Sequence, residues 1–326
     1  MTANLTITKN GEAEMFYTGQ LPWHGLGQYL ESPATSEEAI IAAHLNWNVI
    51  KLPVYFKKDG SDVIVDDGFA TIREDNSKVL GVVGNEYTIV QNNEAFSFFD
   101  NVVGMNAAMY HTAGSLGDGK KVWILAKLPD NIVIKANDII DKYILLYTSH
   151  DGSTGLHMMA TPVRVVCQNT LNVAIAEGSR EISIRHTKNY GGRLEEAKRI
   201  LGLTLEYYAN FETIANAMAE KQLNTEKLSD YITTLIPLVA ERGGVKTNNT
   251  QRIKARNRIT TLFDNPKNTL PGIRGSLWSA YNAATEYADW GKRAKGLEGR
   301  LNSVWFGPAA NFKQRALDTA MAILNG

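Results

Sequence analysis

Strand-like runs recur in the chain from Asp62 to Val166, broken once by a stretch of helical spacing. After Ile182–Arg185 and the Gly191-Gly192 pair, apolar residues recur at helical spacing to the C-terminus. Such a change of period constrains the fold class more than composition does, because a side-chain repeat of two belongs to a strand and one of about 3.6 to a helix. The expectation is an α+β protein, with a large antiparallel sheet and crossing helices followed by a C-terminal helical region. The boundary falls near residue 190, giving a sheet domain at 1–190 and a helical domain at 191–326.

Within the first part, Asp62–Val65, Phe69–Ile72, Val79–Val83 and Tyr87–Val90 are short β-rich runs separated by Asp-Gly, Asp-Asn and Gly-Asn turn signals, the pattern of an antiparallel meander. Gln91–Val103 changes to helical spacing, with Ala95, Phe96, Phe99 and Val102 as its apolar stripe. Strands are expected again at Ala108–His111, Lys121–Leu128, Ile132–Ile134, Lys142–Thr148 and Leu156–Val166, then a helix from about Asn169 to Ala176. The second part reads as helices at Arg193–Lys221, Thr225–Leu235, Thr250–Phe263, Ser276–Trp290 and Asn311–Leu324.

A length of 326 residues allows a full core, and no segment is polar or repetitive enough to be low-complexity. Met1–Met15 lacks the basic start and apolar centre of a secretory signal, and no apolar run is long enough to span a bilayer. The single cysteine, Cys167, excludes an internal disulfide and any multi-cysteine metal site. A soluble, cytoplasmic protein without membrane contact is expected.

The net charge of zero conceals a segregation. Residues 1–150 carry 11 Lys+Arg against 18 Asp+Glu and residues 151–326 carry 23 against 16, so the two halves are −7 and +7. The basic excess has a focus between Arg242 and Phe263, where Arg242, Lys246, Arg252, Lys254, Arg256 and Arg258 occur with no acid among them. On a helix, Arg252/Arg256 and Lys254/Arg258 form two i,i+4 stripes whose like charges repel by a few tenths of a kcal/mol per pair, a pattern that favours an external anion. A solvated helix face is the plainer alternative. A second basic series runs Arg164, Arg180, Arg185, His186, Lys188, Arg193, and a third lies at Lys292, Arg293, Lys295 and Arg300 beside Trp290, Trp305 and Phe306. Aromatics interleaved with cations can stack on unpaired bases, although Trp278, Tyr281, Tyr287 and Trp290 read better as the core stripe of one helix.

Catalytic signals are weak. Gly114-Ser-Leu-Gly-Asp-Gly-Lys120 fits the start of a phosphate-binding loop, but Lys121 replaces the magnesium-binding hydroxyl and a strand follows instead of a helix, so a hairpin turn at Asp118-Gly119 is the better reading. The six histidines show no metal-ligand spacing. His150, Asp151, His157 and Cys167 are the nearest to a catalytic cluster, and a lone cysteine at a strand end is more often a small buried hydrophobe. No cofactor or metal is expected.

Four stretches carry a family resemblance: Pro22-Trp-His-Gly-Leu-Gly27, Thr161-Pro-Val-Arg-Val-Val-Cys-Gln-Asn-Thr-Leu171, Ile184-Arg-His-Thr187 and Gly275-Ser-Leu-Trp-Ser-Ala-Tyr-Asn-Ala-Ala-Thr-Glu-Tyr287. They are similar to the phage/plasmid-like proteins that carry the domain of unknown function numbered 932, with Ser279 where that pattern has glycine. The resemblance implies a mobile-element protein, acting in the host cytoplasm if phage-encoded, in a family named for having no established activity. A sheet-plus-helices body in that setting is similar, at the level of fold analogy, to the single-strand annealing recombinases.

Charge and resemblance together lead to one expectation: sequence-independent binding of single-stranded DNA and annealing of complementary strands, as a homo-oligomeric ring or filament, without enzymatic chemistry. The contact residues expected are Arg252, Lys254, Arg256 and Arg258, with Lys246, Arg164, Arg185 and Lys188 as lesser candidates. A host recombination or single-strand binding protein is a further candidate partner. Two alternatives stay open: an interaction or anti-defence protein that binds a host protein, and a hydrolase or nuclease whose site is assembled from distant residues.

Overall fold

The computed structural model describes residues 6–19, 26–32, 34–104, 109–135, 137–164, 169–170, 181–184, 190–239, 248–291, 303–304 and 307–326. The protein is α+β, with a large and mostly antiparallel sheet followed by a C-terminal helical region.

The larger sheet runs in the order β11 (Asn169–Thr170), β10 (Val163–Arg164), β8 (Asp138–Ser149), β7 (Lys121–Ile134), β6 (Met109–Leu116), β1 (Met15–Thr18), β2 (Gln28–Leu30). Its β9 (Leu156–Ala160) pairs with the second half of β8, and β12 (Glu181–Ile184) pairs with β9. Among the described strands only the β1–β2 pairing is parallel. A second sheet holds β3 (Val49–Lys58), β4 (Ser61–Arg73) and β5 (Val79–Val83).

The strands at the centre of the large sheet read as unbroken apolar runs because they are covered on both faces. Val122–Ala126 of β7 and Tyr143–Ser149 of β8 are buried throughout. Helix α1 (Ser36–Ala42), which Thr35 and Glu38 start with a reciprocal capping box, packs against α2 (Asn92–Gly104). Helix α3 (Tyr190–Glu220) packs against α2, β7 and β9. At Tyr143, β8 changes neighbour from β10 to β9, and the Tyr208 hydroxyl of α3 occupies the gap. It accepts from Tyr143 N–H at 2.9 Å and donates to Tyr143 C=O at 2.6 Å, so the change of partner leaves no unpaired backbone at that residue.

The helical region comprises α4 (Thr225–Leu235), α5 (Thr250–Phe263), α6 (Leu277–Glu286), which runs into a π-helical turn at Tyr287–Gly291, and α7 (Pro308–Asn325). Every residue of α6 from Leu277 to Thr285 is buried, so this helix is the axis round which the others pack. Its Trp278 indole N–H donates to Asp138 of β8 at 2.7 Å. The buried apolar side chains of sheet and helices form one contiguous cluster. Among the described residues no helix is long and apolar enough to cross a membrane.

Several sequence expectations need correction. Asp62–Val65 and Phe69–Ile72 are one strand: the Asp67-Gly68 signal is absorbed as an irregularity of the ladder in which Val65–Gly68 oppose Val54. A Cβ on Gly68 would lie 2.6 Å from the Val65 side chain, so glycine is required there. Lys121–Leu128 and Ile132–Ile134 are likewise one strand with an irregularity between Lys127 and Asn131. Leu156–Val166 is split between β9 and β10. Tyr87–Val90 is not a strand. Lys51 Nζ instead binds the carbonyls of Gly84, Asn85 and Tyr87, while the Gln91 amide occupies the Val49 backbone edge at 2.8–2.9 Å. Asn169–Thr170, expected to open a helix, is strand β11; the rest of that expected helix lies outside the described residues.

The two sheets are joined by a buried ionic cluster. Arg73, the last residue of β4, is 3 % exposed and Glu14, just before β1, is 1 % exposed. Both Arg73 terminal nitrogens bond to the Glu14 carboxylate, Nε bonds to Asp75 at 2.7 Å, the guanidinium lies 4.1 Å over the Trp47 ring, and Ser115 of β6 also donates to Glu14. Removing one partner strands a buried charge. Glu14→Ala is therefore expected to lower the stability of the folded chain by about 3–5 kcal/mol, read from the shift in chemical denaturation midpoint.

Candidate nucleic-acid interface

Helix α5 forms because Ala255, Ile259, Leu262 and Phe263 make a buried stripe that packs on α4, α6 and the π-helical turn. Its cations therefore lie to the sides and back. The sequence contains no acid from Thr250 to Phe263, and the N-terminal end of a helix carries a partial positive charge, which makes it an unfavourable place for cations without an anion.

For Arg252 and Arg256 the negative group is inside the protein. Helix α4 is stopped by Pro237, which leaves carbonyl groups without intrahelical partners. Arg256 Nε donates to Ile236 C=O at 2.8 Å and Arg252 Nη1 donates to Pro237 C=O at 2.6 Å. Both guanidinium groups sit at the negative end of the α4 dipole and close its last turn. Next to them, the Asn249 side chain pairs with both backbone groups of Val239 at 3.0 Å, which fixes the approach of the chain into α5.

Lys254 and Arg258 differ. They are exposed on the opposite flank of α5, and among the described residues neither has a carboxylate within ion-pair distance. The expected stripe of four cations thus divides into an internal pair that caps α4 and an external pair that meets solvent. Of the lesser candidates, Lys246, Arg185 and Lys188 lie outside the described residues; Arg164 sits on β10 opposite Ile140 and Asn169, with its side chain outside the described set. Trp278 and Tyr281 are core, as the stripe reading expected, whereas Trp290 is 42 % exposed.

Gly114–Leu116 end β6, paired with Lys121–Trp123 of β7, and Gly117–Lys120 make the hairpin turn, with positive φ at Gly117, Asp118 and Gly119. Gly119 backs onto the Trp47 ring, where a Cβ would come within 3.0 Å. His150, of the possible catalytic set, is 1 % exposed, with Nε2 3.0 Å from the Asn92 amide oxygen. Asp151 accepts from Ser153 N–H at 2.8 Å, the His157 ring stacks on Tyr147, and Cys167 is outside the described residues. Among the described residues no three His, Cys, Asp or Glu are grouped to hold a metal ion.

The feature that sequence reading missed is a ribbon. The β3–β4 hairpin turns at Asp59-Gly60, with φ of 51° and 82°, and its distal half carries exposed Tyr55, Phe56, Val63 and Ile64. Asp-Gly between Val54-Tyr-Phe56 and Val63-Ile-Val65 is the signal that identifies it.

Two outcomes separate structural from external roles. Arg256→Met is expected to destabilise the fold by about 1.5–3 kcal/mol through the lost charged hydrogen bond, and Lys254→Met to stay within about 0.5 kcal/mol of wild type, both read by thermal denaturation. Burial pulls the His150 pKa down to about 4, against the opposing pull of Asp151. Between about pH 6.5 and 4 the unfolded chain then binds more protons than the folded one, so stability falls as pH drops through that window, by about 3 kcal/mol in all. His150→Gln is expected to flatten that part of the pH dependence of the denaturation midpoint.

A family model for a domain of unknown function, DUF932, matches residues 79–305, from β5 to just before α7. No curated protein and no solved structure matches the chain. Because the family match takes in well over half of its length, the chain belongs to the DUF932 family.

Proposed function

We propose that the protein binds single-stranded DNA without regard to sequence and promotes pairing of complementary strands, acting as an assembly of copies in the cytoplasm of a cell that carries a phage or plasmid. The observation that carries this reading is the exposed pair Lys254 and Arg258 on an acid-free helix, with no carboxylate partner among the described residues. Cations one turn apart engage the sugar-phosphate backbone and leave base edges open to a second strand, so affinity follows charge and not sequence. Arg252 and Arg256 contribute by holding α5 against the end of α4, which orients the outer pair. Counter-charge comes from side chains alone, so magnesium is not required.

The salt dependence of binding tests this. Each phosphate neutralised on a single strand contributes about −0.7 to the slope of log K against log salt. Replacing Lys254 and Arg258 together by glutamine is expected to make the slope shallower by about 1.4, measured with a labelled homopolymeric oligonucleotide. An unchanged slope, or no binding by the wild type at low salt, overturns the reading.

A further inference from the structure

We propose that the distal β3–β4 ribbon is a docking arm that seats on the α4–α5 junction of a second copy of this chain, in the apolar patch formed by Leu238, Val239 and Ile253. The proposal rests on the function above only in taking the protein to act as an assembly.

The arm is apolar on both faces. Tyr55 lies opposite Ile64 on one face and Phe56 opposite Val63 on the other, and these side chains are 53, 56, 48 and 36 % exposed. Strand β5 pairs only with Phe69–Ile72, so the distal half of the hairpin is a ribbon of two strands. Such a ribbon is marginally stable in water unless another surface covers it. Charge decides which surface. Between Tyr55 and Gly68 stand four aspartates (Asp59, Asp62, Asp66, Asp67) against Lys57 and Lys58, with Lys57 4.0 Å from Asp62, so the arm carries a net charge of −2 and is complementary to a basic apolar surface.

The chain carries such a surface. Leu238, Val239 and Ile253 are 44, 45 and 46 % exposed, and the Val239–Asn249 pairing brings the end of α4 beside the start of α5. Arg252 and Arg256 flank the patch. Each donates one described bond to a carbonyl at the end of α4, and a guanidinium has five N–H groups, so donors remain for the aspartates of an incoming arm. Lys254 and Arg258 follow Ile253 by about 100° and 140° round the helix, so an arm seated on Ile253 leaves that flank open to a strand. Arm and patch are different surfaces. The contact is therefore heterologous and propagates head to tail into a ring or filament.

The test is sedimentation velocity of the full chain over a range of concentrations, with Phe56→Ser/Ile64→Ser as the arm variant and Leu238→Ser/Ile253→Ser as the patch variant. Wild type is expected to gain mass with concentration and each variant to remain monomeric. An equimolar mixture of the two variants is expected to form a dimer and stop, because it contains one intact arm and one intact patch. A wild type that stays monomeric, a patch variant that assembles like wild type, or a mixture that stays monomeric overturns the proposal. If a serine variant loses its far-ultraviolet circular dichroism, Asp62→Lys/Asp66→Lys takes its place as the arm variant, with the same loss of assembly expected. The monomeric arm variant is expected to keep the wild-type salt slope for the oligonucleotide, so assembly and strand binding are judged separately.

Discussion

The guanidinium of Arg73 is the point on which the two sheets depend. It closes β4, lies on the Trp47 ring, and bonds to Glu14, which itself receives Ser115 from β6. Two fully desolvated charges are tolerable only when nearly every donor and acceptor is used, and here the carboxylate is met from two directions. The geometry that satisfies them also fixes the base of the β3–β4 ribbon relative to the large sheet.

Helix α5 illustrates a complementary constraint. Four cations on an acid-free helix look alike in sequence, yet their fates are set by the neighbouring helix. Pro237 ends α4 and exposes carbonyls, and the two arginines on that side turn inward to them. Among the described residues Lys254 and Arg258 have no such neighbour. Two of the four cations are thus used within the fold, while the buried stripe of α5 leaves the other two exposed to solvent.

The helical half was largely legible in the sequence. Helices α4 and α5 occupy the spans that their apolar spacing indicates, since a buried stripe on a polar helix gives strong contrast. The sheet was less so, for identifiable reasons. Strand β3 has Leu52, Val54, Tyr55 and Phe56 almost in succession with both faces exposed, so it lacks the alternation that marks a half-buried strand. Tyr87–Val90 has strand composition, but the Lys51 ammonium and the Gln91 amide take the hydrogen-bonding places that a ladder would need. The cation cluster was visible from composition; its division was not, because the acceptors for Arg252 and Arg256 are backbone carbonyls, which no pattern of side chains reveals.

Membership of the DUF932 family gives the chain relatives without giving it a role, so the role has to be argued from the charged surface. The most direct measurement is differential acetylation of lysines in the full chain, mapped by mass spectrometry with and without a homopolymeric single strand. Protection of Lys254 by the strand, with Lys57 and Lys58 on the acidic arm not protected by it, is the expected result. Equal labelling of Lys254 in both conditions would contradict the assignment of the outer flank of α5 to a polyanion.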